Sequence, residues 1–456
     1  MNRLFAIAKL TWKAAFRFRL FWVMAGLLLL CVVALPLLLK DDGSARGFTQ
    51  ILLTYTLSVI TVLLGFSTLW LACGTLARDI EEAQMQVVAV KPVARWQIWL
   101  GKWLGLFALN AALLAVAGTS VYVLIQYRAK RLPPEQQQVL RNEIFVARGS
   151  LKPHAPNIEE NAEALFQEAV KKNNVPPEEF EKLRGQLRER VTAYEQIVPP
   201  GYRREWIVDF GLRAKLLRDQ PLFLRTKFFA AQTNASGTYL GLWQAGNSQT
   251  GVPVPLSLAA DTFHELQIGP NRFDADGKLR ISFINRNETA LLFPIDEGIE
   301  VLYREGGFGF NFVRGLMVIL CWLGLIAAVG LAAASFLSFP VAAFFSASLL
   351  VMGLSSGTLS TVVAEGSVLG LNHETGAGGG GLLDAIVVPC FKALLRIVML
   401  VEQFSPVDSL STGRSISGGQ LLRAFAQIVL LLGGFFAAIG IFTFNRRELA
   451  TAQGNS

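Results

Sequence analysis

Long charge-free runs alternate with short basic stretches along this chain. The runs lie between Arg19 and Lys40, Arg46 and Arg78, Lys102 and Arg128, Arg314 and Glu365, and Arg423 and Arg446. A helix needs about 20 apolar residues to cross the hydrocarbon of a bilayer, so every run but the fourth provides one span. The fourth is too long for one helix. It breaks at Ser338-Phe339-Pro340, because proline removes a helix hydrogen bond and disfavours helix in the residue before it. Six spans are predicted, at 20–39, 51–73, 103–126, 313–336, 341–363 and 422–444.

Between the third and fourth spans the periodicity changes. Residues 133–196 are rich in Glu, Gln, Lys and Arg, with starts such as Pro133-Pro134-Glu135 and Pro176-Pro177-Glu178-Glu179. Proline followed by acids suits a helix N-terminus, so this half reads as two or three solvated helices. Over 204–305 the stretches PLFLRTKFFAA, TYLGLWQ, KLRISFIN and IEVLYRE are β-rich and partly alternating, with Asp276-Gly277 as a hairpin turn. A small antiparallel sandwich is expected there. The segment 364–421 opens on a flexible GAGGGG and continues with an apolar stretch carrying Asp384, Pro389, Lys392 and Arg396. Those charges suit a re-entrant or interfacial helix pair better than a seventh span. Before the first span, Lys9, Lys13 and Arg17 recur every fourth residue beside Leu4, Phe5, Ala8, Trp12 and Phe16. This predicts a helix lying in the membrane interface; a plain extension of the first span is the alternative.

Charge sets the orientation. The first 19 residues hold Arg3, Lys9, Lys13, Arg17 and Arg19 and no acid, the segment 74–102 holds Arg78, Lys91, Arg95 and Lys102, and Arg446-Arg447 follow the last span. Basic flanks stay on the cytoplasmic side. Both termini are therefore predicted cytoplasmic and residues 128–308 extracytoplasmic. The first hydrophobic run is longer than a signal-peptide core and is not followed by a small-residue cleavage pattern, so it is read as a span. Composition agrees: 52% of residues are hydrophobic and 17% charged, against about a quarter charged in soluble domains. A wholly soluble enzyme is excluded. The net charge of +8 lies mostly on the inner flanks, which points to membrane lipid as a partner and not to nucleic acid.

Together these patterns describe a polytopic α-helical membrane protein with about six transmembrane helices and a large α+β extracytoplasmic insert between spans three and four. Its parts are an N-terminal membrane half (1–127) with a cytoplasmic coupling segment (75–102), an extracytoplasmic domain (128–308; helical over 133–196, sandwich-like over 204–305), and a C-terminal membrane half (309–456).

Catalytic chemistry is sparse. Cys31, Cys73, Cys321 and Cys390 sit in apolar stretches without bridging or ligand spacing, and no two of His154, His264 and His373 have metal-ligand spacing. No GxxxxGK[ST] cradles a nucleotide phosphate. No catalytic residue, metal or cofactor is assigned. The predicted spans carry essentially no ionisable side chain, whereas ion-driven transporters place Asp, Glu or His there. Movement of a cargo would then need a separate motor. The stretch from Thr75 to Gly105 offers it a place: a helical pattern over 78–90 with Asp79, Glu81 and Glu82 at its start, ended by Pro92, and then a belt of Trp96, Trp99 and Trp103 at the membrane surface.

This segment resembles the signature region of the ABC type-2 exporter permeases, in which a Glu-containing helix precedes a proline, a basic residue and a Gly-Lys pair entering the next span. The matching residues are Glu81 and Glu82, Lys91-Pro92-Val93, Arg95 and Leu100-Gly101-Lys102; Ala83 stands where that family usually has glycine. The basic N-terminal helix, the six spans, the Phe339-Pro340 turn and FNRREL from Phe444 to Leu449 match more loosely, and the insert is not covered. The resemblance implies a permease subunit, not itself an enzyme, that forms a homodimer or heterodimer of permease halves. It would couple a separate ABC ATPase subunit to export. Asp79, Glu81, Glu82, Lys91, Pro92, Arg95 and the turn Ser338, Phe339 and Pro340 would contact that ATPase. The absence of an external cysteine pair and of a retention signal fits a bacterial inner membrane. The alternatives are a non-transporting membrane scaffold whose outer domain binds a polymer or partner protein, and a membrane enzyme using the sandwich.

Overall fold

The charge-free runs fold as helices that share two layers of core. The computed structural model describes residues 2–17, 19–38, 45–82, 93–140, 145–173, 176, 180–246, 251–365 and 382–447. They form two compact units, Met1–Ala147 with Gly307–Ser456, and Arg148–Gly306. The first is helical. It begins with α1 (Asn2–Ala15), α2 (Arg19–Leu38), α3 (Ala45–Glu81), α4 (Arg95–Ala129) and the short α5 (Pro134–Val139). Two helices, α6 (Ile158–Asn173) and α7 (Phe180–Gln196), belong to the second unit. The helical unit resumes with α8 (Phe308–Ala334), α9 (Phe339–Leu354), α10 (Ser356–Glu365), α11 (Leu382–Glu402), α12 (Pro406–Ser411) and α13 (Gly418–Arg446).

Four of these, α3, α4, α8 and α13, are long and apolar enough to cross a membrane. The number rises to five if α9 and α10, bent by 74° at their junction, count as one. The predicted span at 341–363 is therefore broken. The break falls at Ser355 in a run of glycine and serine, residues that hold a helix weakly. The predicted first span falls on α2, whose described apolar helix, Phe21–Ala34, is shorter than a membrane crossing needs. Where a helix pair was expected in 364–421, the described part holds the single α11, with Pro389 inside it, followed by the short α12.

The two core clusters reveal how the helices run. One gathers Leu53 and Ile60 of α3, Val121 and Ile125 of α4, Phe312 and Ile319 of α8, and Ile428 of α13. The other gathers Ala72 and Leu76, Trp99 and Leu106, Ala328 and Leu331, and Phe444 of the same four helices, with Ala342 of α9. The ends of α3, α8 and α13 thus meet the starts of α4 and α9 at one pole. Packing is close because the helices touch through small residues. A Cβ on Gly330 would lie 2.8 Å from Ala72 Cβ, and one on Gly440 would lie 2.7 Å from Trp99 Nε1. Trp99 is buried, and Trp103 donates from Nε1 to Gly324 O of α8 at 2.9 Å. The expected surface belt is thus reduced to the exposed Trp96, since the other two lie on the helix face that α8 and α13 cover.

In the Arg148–Gly306 unit, two four-stranded antiparallel-paired sheets enclose one apolar core. With β1 (Val146–Leu151), β2 (Ile197–Val198), β3 (Arg203–Asp209), β4 (Leu222–Thr226), β5 (Phe229–Ala230), β6 (Thr238–Ala245), β7 (Val254–Ala259), β8 (His264–Ile268), β9 (Lys278–Asn285), β10 (Leu291–Leu292) and β11 (Ile299–Gly307), the orders are β1-β11-β4-β8 and β3-β9-β6-β7. A small β2-β10-β5 sheet accompanies them. Alternation supplies the core: Leu222 and Leu224 from one sheet meet Leu279, Ile281 and Phe283 from the other. The Phe283 ring lies over Gly241 so closely that no side chain fits there. Gly277 does take the left-handed conformation (φ 75°). Its turn nevertheless joins β8 and β9, which lie in different sheets, so it does not close the expected hairpin. Strand β1 interrupts the half read as helical, while α6 and α7 pair through Arg184–Glu163 and Arg188–Glu159 at 3.2 and 2.8 Å. The amides of Asn234 and Asn287, both in glycosylation sequons, donate to Thr238 O and Leu240 O.

Candidate functional site

The pole where α3, α8 and α13 end and α4 and α9 begin holds most of the residues singled out in the sequence. Of the helical pattern expected over 78–90, residues 78–81 form the last turn of α3 itself, which runs unbroken to Glu81, and 83–90 lie outside the described residues. Carboxylates in that position are unfavourable, because the negative end of the helix dipole repels them by roughly 0.3–1 kcal/mol. Each is offset by a partner from another helix. Asp79 Oδ2 accepts from Lys102 Nζ at 2.6 Å, and the same ammonium donates to Thr75 O at 2.7 Å. Lys102 is 7% exposed, so the charge sits inside the α3–α4 contact.

Glu81 Oε1 accepts from the backbone N–H of Phe339 at 2.8 Å. Phe339 is the first residue of α9, and Ser338, at the N-cap, makes no side-chain cap bond. The cap on α9 comes instead from a carboxylate on α3, at the end of the helix where the dipole favours an anion. Two further contacts fasten the joint. Arg78 stacks its guanidinium over the Phe339 ring at 4.4 Å, and Trp70 meets that ring edge-on at 5.2 Å. Pro340 follows, exposed, in the first turn of α9.

Arg95 closes the other side. Its Nη1 donates to three carbonyls at the end of α13, Phe444 O at 2.7 Å and Asn445 O and Arg447 O at 2.9 Å. A cation on the last carbonyls of a helix satisfies acceptors that have no intrahelical partner. Arg447 in turn donates to Ser335 O at the end of α8, at 3.3 Å. Glu82 is exposed, and with Trp96, Phe336, Val341 and Arg446 it leaves a mixed charged and apolar surface at this pole. Lys91 and Pro92 lie outside the described residues.

The arrangement brings together Asp79, Glu81, Arg95, Phe339 and their helix ends. Among the described residues there is no group of three His, Cys, Asp or Glu side chains placed to hold a metal. What the arrangement does is bind the ends of five helices, α3, α4, α8, α9 and α13, at one point. Phe444 and Arg447 stand in the FNRREL tail that the sequence already singled out, but no local pattern marks their contacts with Arg95 and Ser335, since those partners are more than a hundred residues away. No family model matches the chain, and no curated protein or solved structure shows significant similarity to it.

Proposed function

We propose that this chain is the membrane-spanning permease subunit of an ATP-driven ABC exporter. The observation that carries the proposal is the joint at the end of α3. Asp79 is tied to α4, Glu81 to the start of α9, and Arg95 of α4 to the end of α13. A force applied to this turn is delivered to four helices at once, which is what coupling to an external motor requires. The chain itself has no phosphate loop, so the ATPase is a separate subunit.

On this reading α2, α3, α4, α8, the bent α9–α10 pair and α13 are the six spans of an inner-membrane protein. The termini and the Asp79–Arg95 pole face the cytoplasm, and residues 128–308 lie outside. The exposed Glu82, Trp96 and Arg446 meet the ATPase, and a second permease half completes the transporter. The test is coupling. Glu82→Lys reverses a charge that is exposed at this pole. The variant is expected to fold and reach the membrane normally while the copurifying ATPase activity falls about tenfold, the scale of one lost interfacial charge contact. Wild-type ATPase recovery in Glu82→Lys and also in Trp96→Asp would refute the assigned contact surface.

A further inference from the structure

The N-terminal helix forms a second site that the motor does not need. Helix α1 lies across the first turns of α4, and the two backbones approach at Gly101 and Gly105. A Cβ on Gly105 would lie 2.7 Å from Ala8 O. Beside this contact runs a groove of about 590 Å³. Phe5, Trp12 and Phe16 form its walls, Gly105 and Ala108 its floor, and Lys9 and Lys13 its rim. Phe5 and Phe16 are 59% and 40% exposed. Aromatic surface of this extent, bordered by two ammonium groups one helical turn apart, is a combination that water does not satisfy.

We infer that the groove binds one anionic phospholipid, with its phosphate between Lys9 and Lys13 and the upper part of an acyl chain against Phe5, Trp12 and Phe16. The inference rests on the reading of the helical unit as membrane-embedded. Three features select this occupant. The rim is wholly basic, and α1 carries no acid anywhere along its length, so the site complements an anion and repels a second α1. The walls are apolar and flat, which suits acyl chain more than a polar peptide. The volume matches a ligand portion of about 300–1,000 Å³, enough for a headgroup and the start of a chain whose remainder continues into the bilayer. Lysine stems lying along the apolar wall with their ammonium groups at the headgroup level are the usual behaviour of this side chain.

The site test uses the full chain in nanodiscs of phosphatidylcholine containing a minor fraction of brominated phosphatidylglycerol or, separately, brominated phosphatidylcholine. Bromine quenches tryptophan on contact, and the difference between wild type and Trp12→Phe isolates Trp12. Quenching of Trp12 is expected at brominated phosphatidylglycerol fractions on the order of tenfold lower than for brominated phosphatidylcholine, the scale set by two lysines at an anionic lipid. The preference should vanish in Lys9→Gln/Lys13→Gln and return in Lys9→Arg/Lys13→Arg. Equal quenching of Trp12 by the two lipids would overturn the site while leaving the membrane reading intact. Absence of quenching of all tryptophans by either lipid would overturn the membrane reading itself. Crosslinking of α1 to α1 of a second copy through Phe5→Cys would also overturn the site, by showing the groove to be a subunit contact.

Discussion

Gly105→Leu is expected to lift α1 off α4. The closest atoms around this glycine are Ala8 O, a backbone atom, and Thr11 Cβ, both 2.7 Å from where a Cβ would sit. A side chain at the far end of a flexible arm could move aside; a helix backbone cannot. The neighbouring Gly101 is just as tightly covered, by Ile7 Cβ and Cγ2 at 2.8 Å, so the two helices have no room to slide. Separating them forfeits the packing of Leu4, Ile7 and Ala8, and the cost is about 3 kcal/mol, at the upper end for overpacking. Amide hydrogen exchange reads this directly. Protection over residues 2–15 should fall about a hundredfold relative to wild type. Gly26→Leu is the control, because nothing lies within 4 Å of that glycine's Cβ position. Unchanged protection in Gly105→Leu, or an equal loss in Gly26→Leu, would contradict the packing described.

Asp79→Ala should be the most destabilising single change at the Asp79–Arg95 pole. It removes the carboxylate 2.6 Å from Lys102 Nζ and leaves an ammonium group that is almost wholly buried, with Thr75 O as its remaining acceptor. Breaking a buried pair by deleting one member costs about 3–5 kcal/mol, most of it for the charge left behind, and with the Asp79 side chain 34% exposed the lower end of that range is expected. The double variant Asp79→Ala/Lys102→Met removes that charge and should recover most of the loss. The double-mutant cycle, followed by thermal unfolding in detergent, is expected to give an interaction of about 2–3 kcal/mol. Additive losses would mean that the two side chains do not support each other.

How far the sequence foretold this follows from the range of each signal. Strong local signals were legible. The charge-free runs are helices, Pro340 marks the start of α9, and the alternating KLRISFIN and TYLGLWQ are central strands β9 and β6. Weak local signals were not. Strand β1, VARGSL, has little apolar character and falls in the half read as helical. The acids at 79–82 resembled a helix start because acids favour that end; they lie at a helix end because Lys102 and the Phe339 N–H compensate them. No periodicity encodes such partners, since Glu81 and Phe339 are 258 residues apart. The belt of Trp96, Trp99 and Trp103 shows the same limit. Spacing put them on neighbouring helical faces, but only the tertiary fold decides which are covered by α8 and α13.

The central claim is that a separate ATPase grips the turn at the end of α3. The direct measurement is a mild-detergent pull-down of the tagged full chain, with mass spectrometry of the partners and an ATPase assay on the eluate. The account predicts a stoichiometric nucleotide-binding subunit with ATPase activity, retained by the wild type and released by Glu82→Lys. An eluate free of any ATPase, under conditions that keep a known ABC complex together, would contradict it.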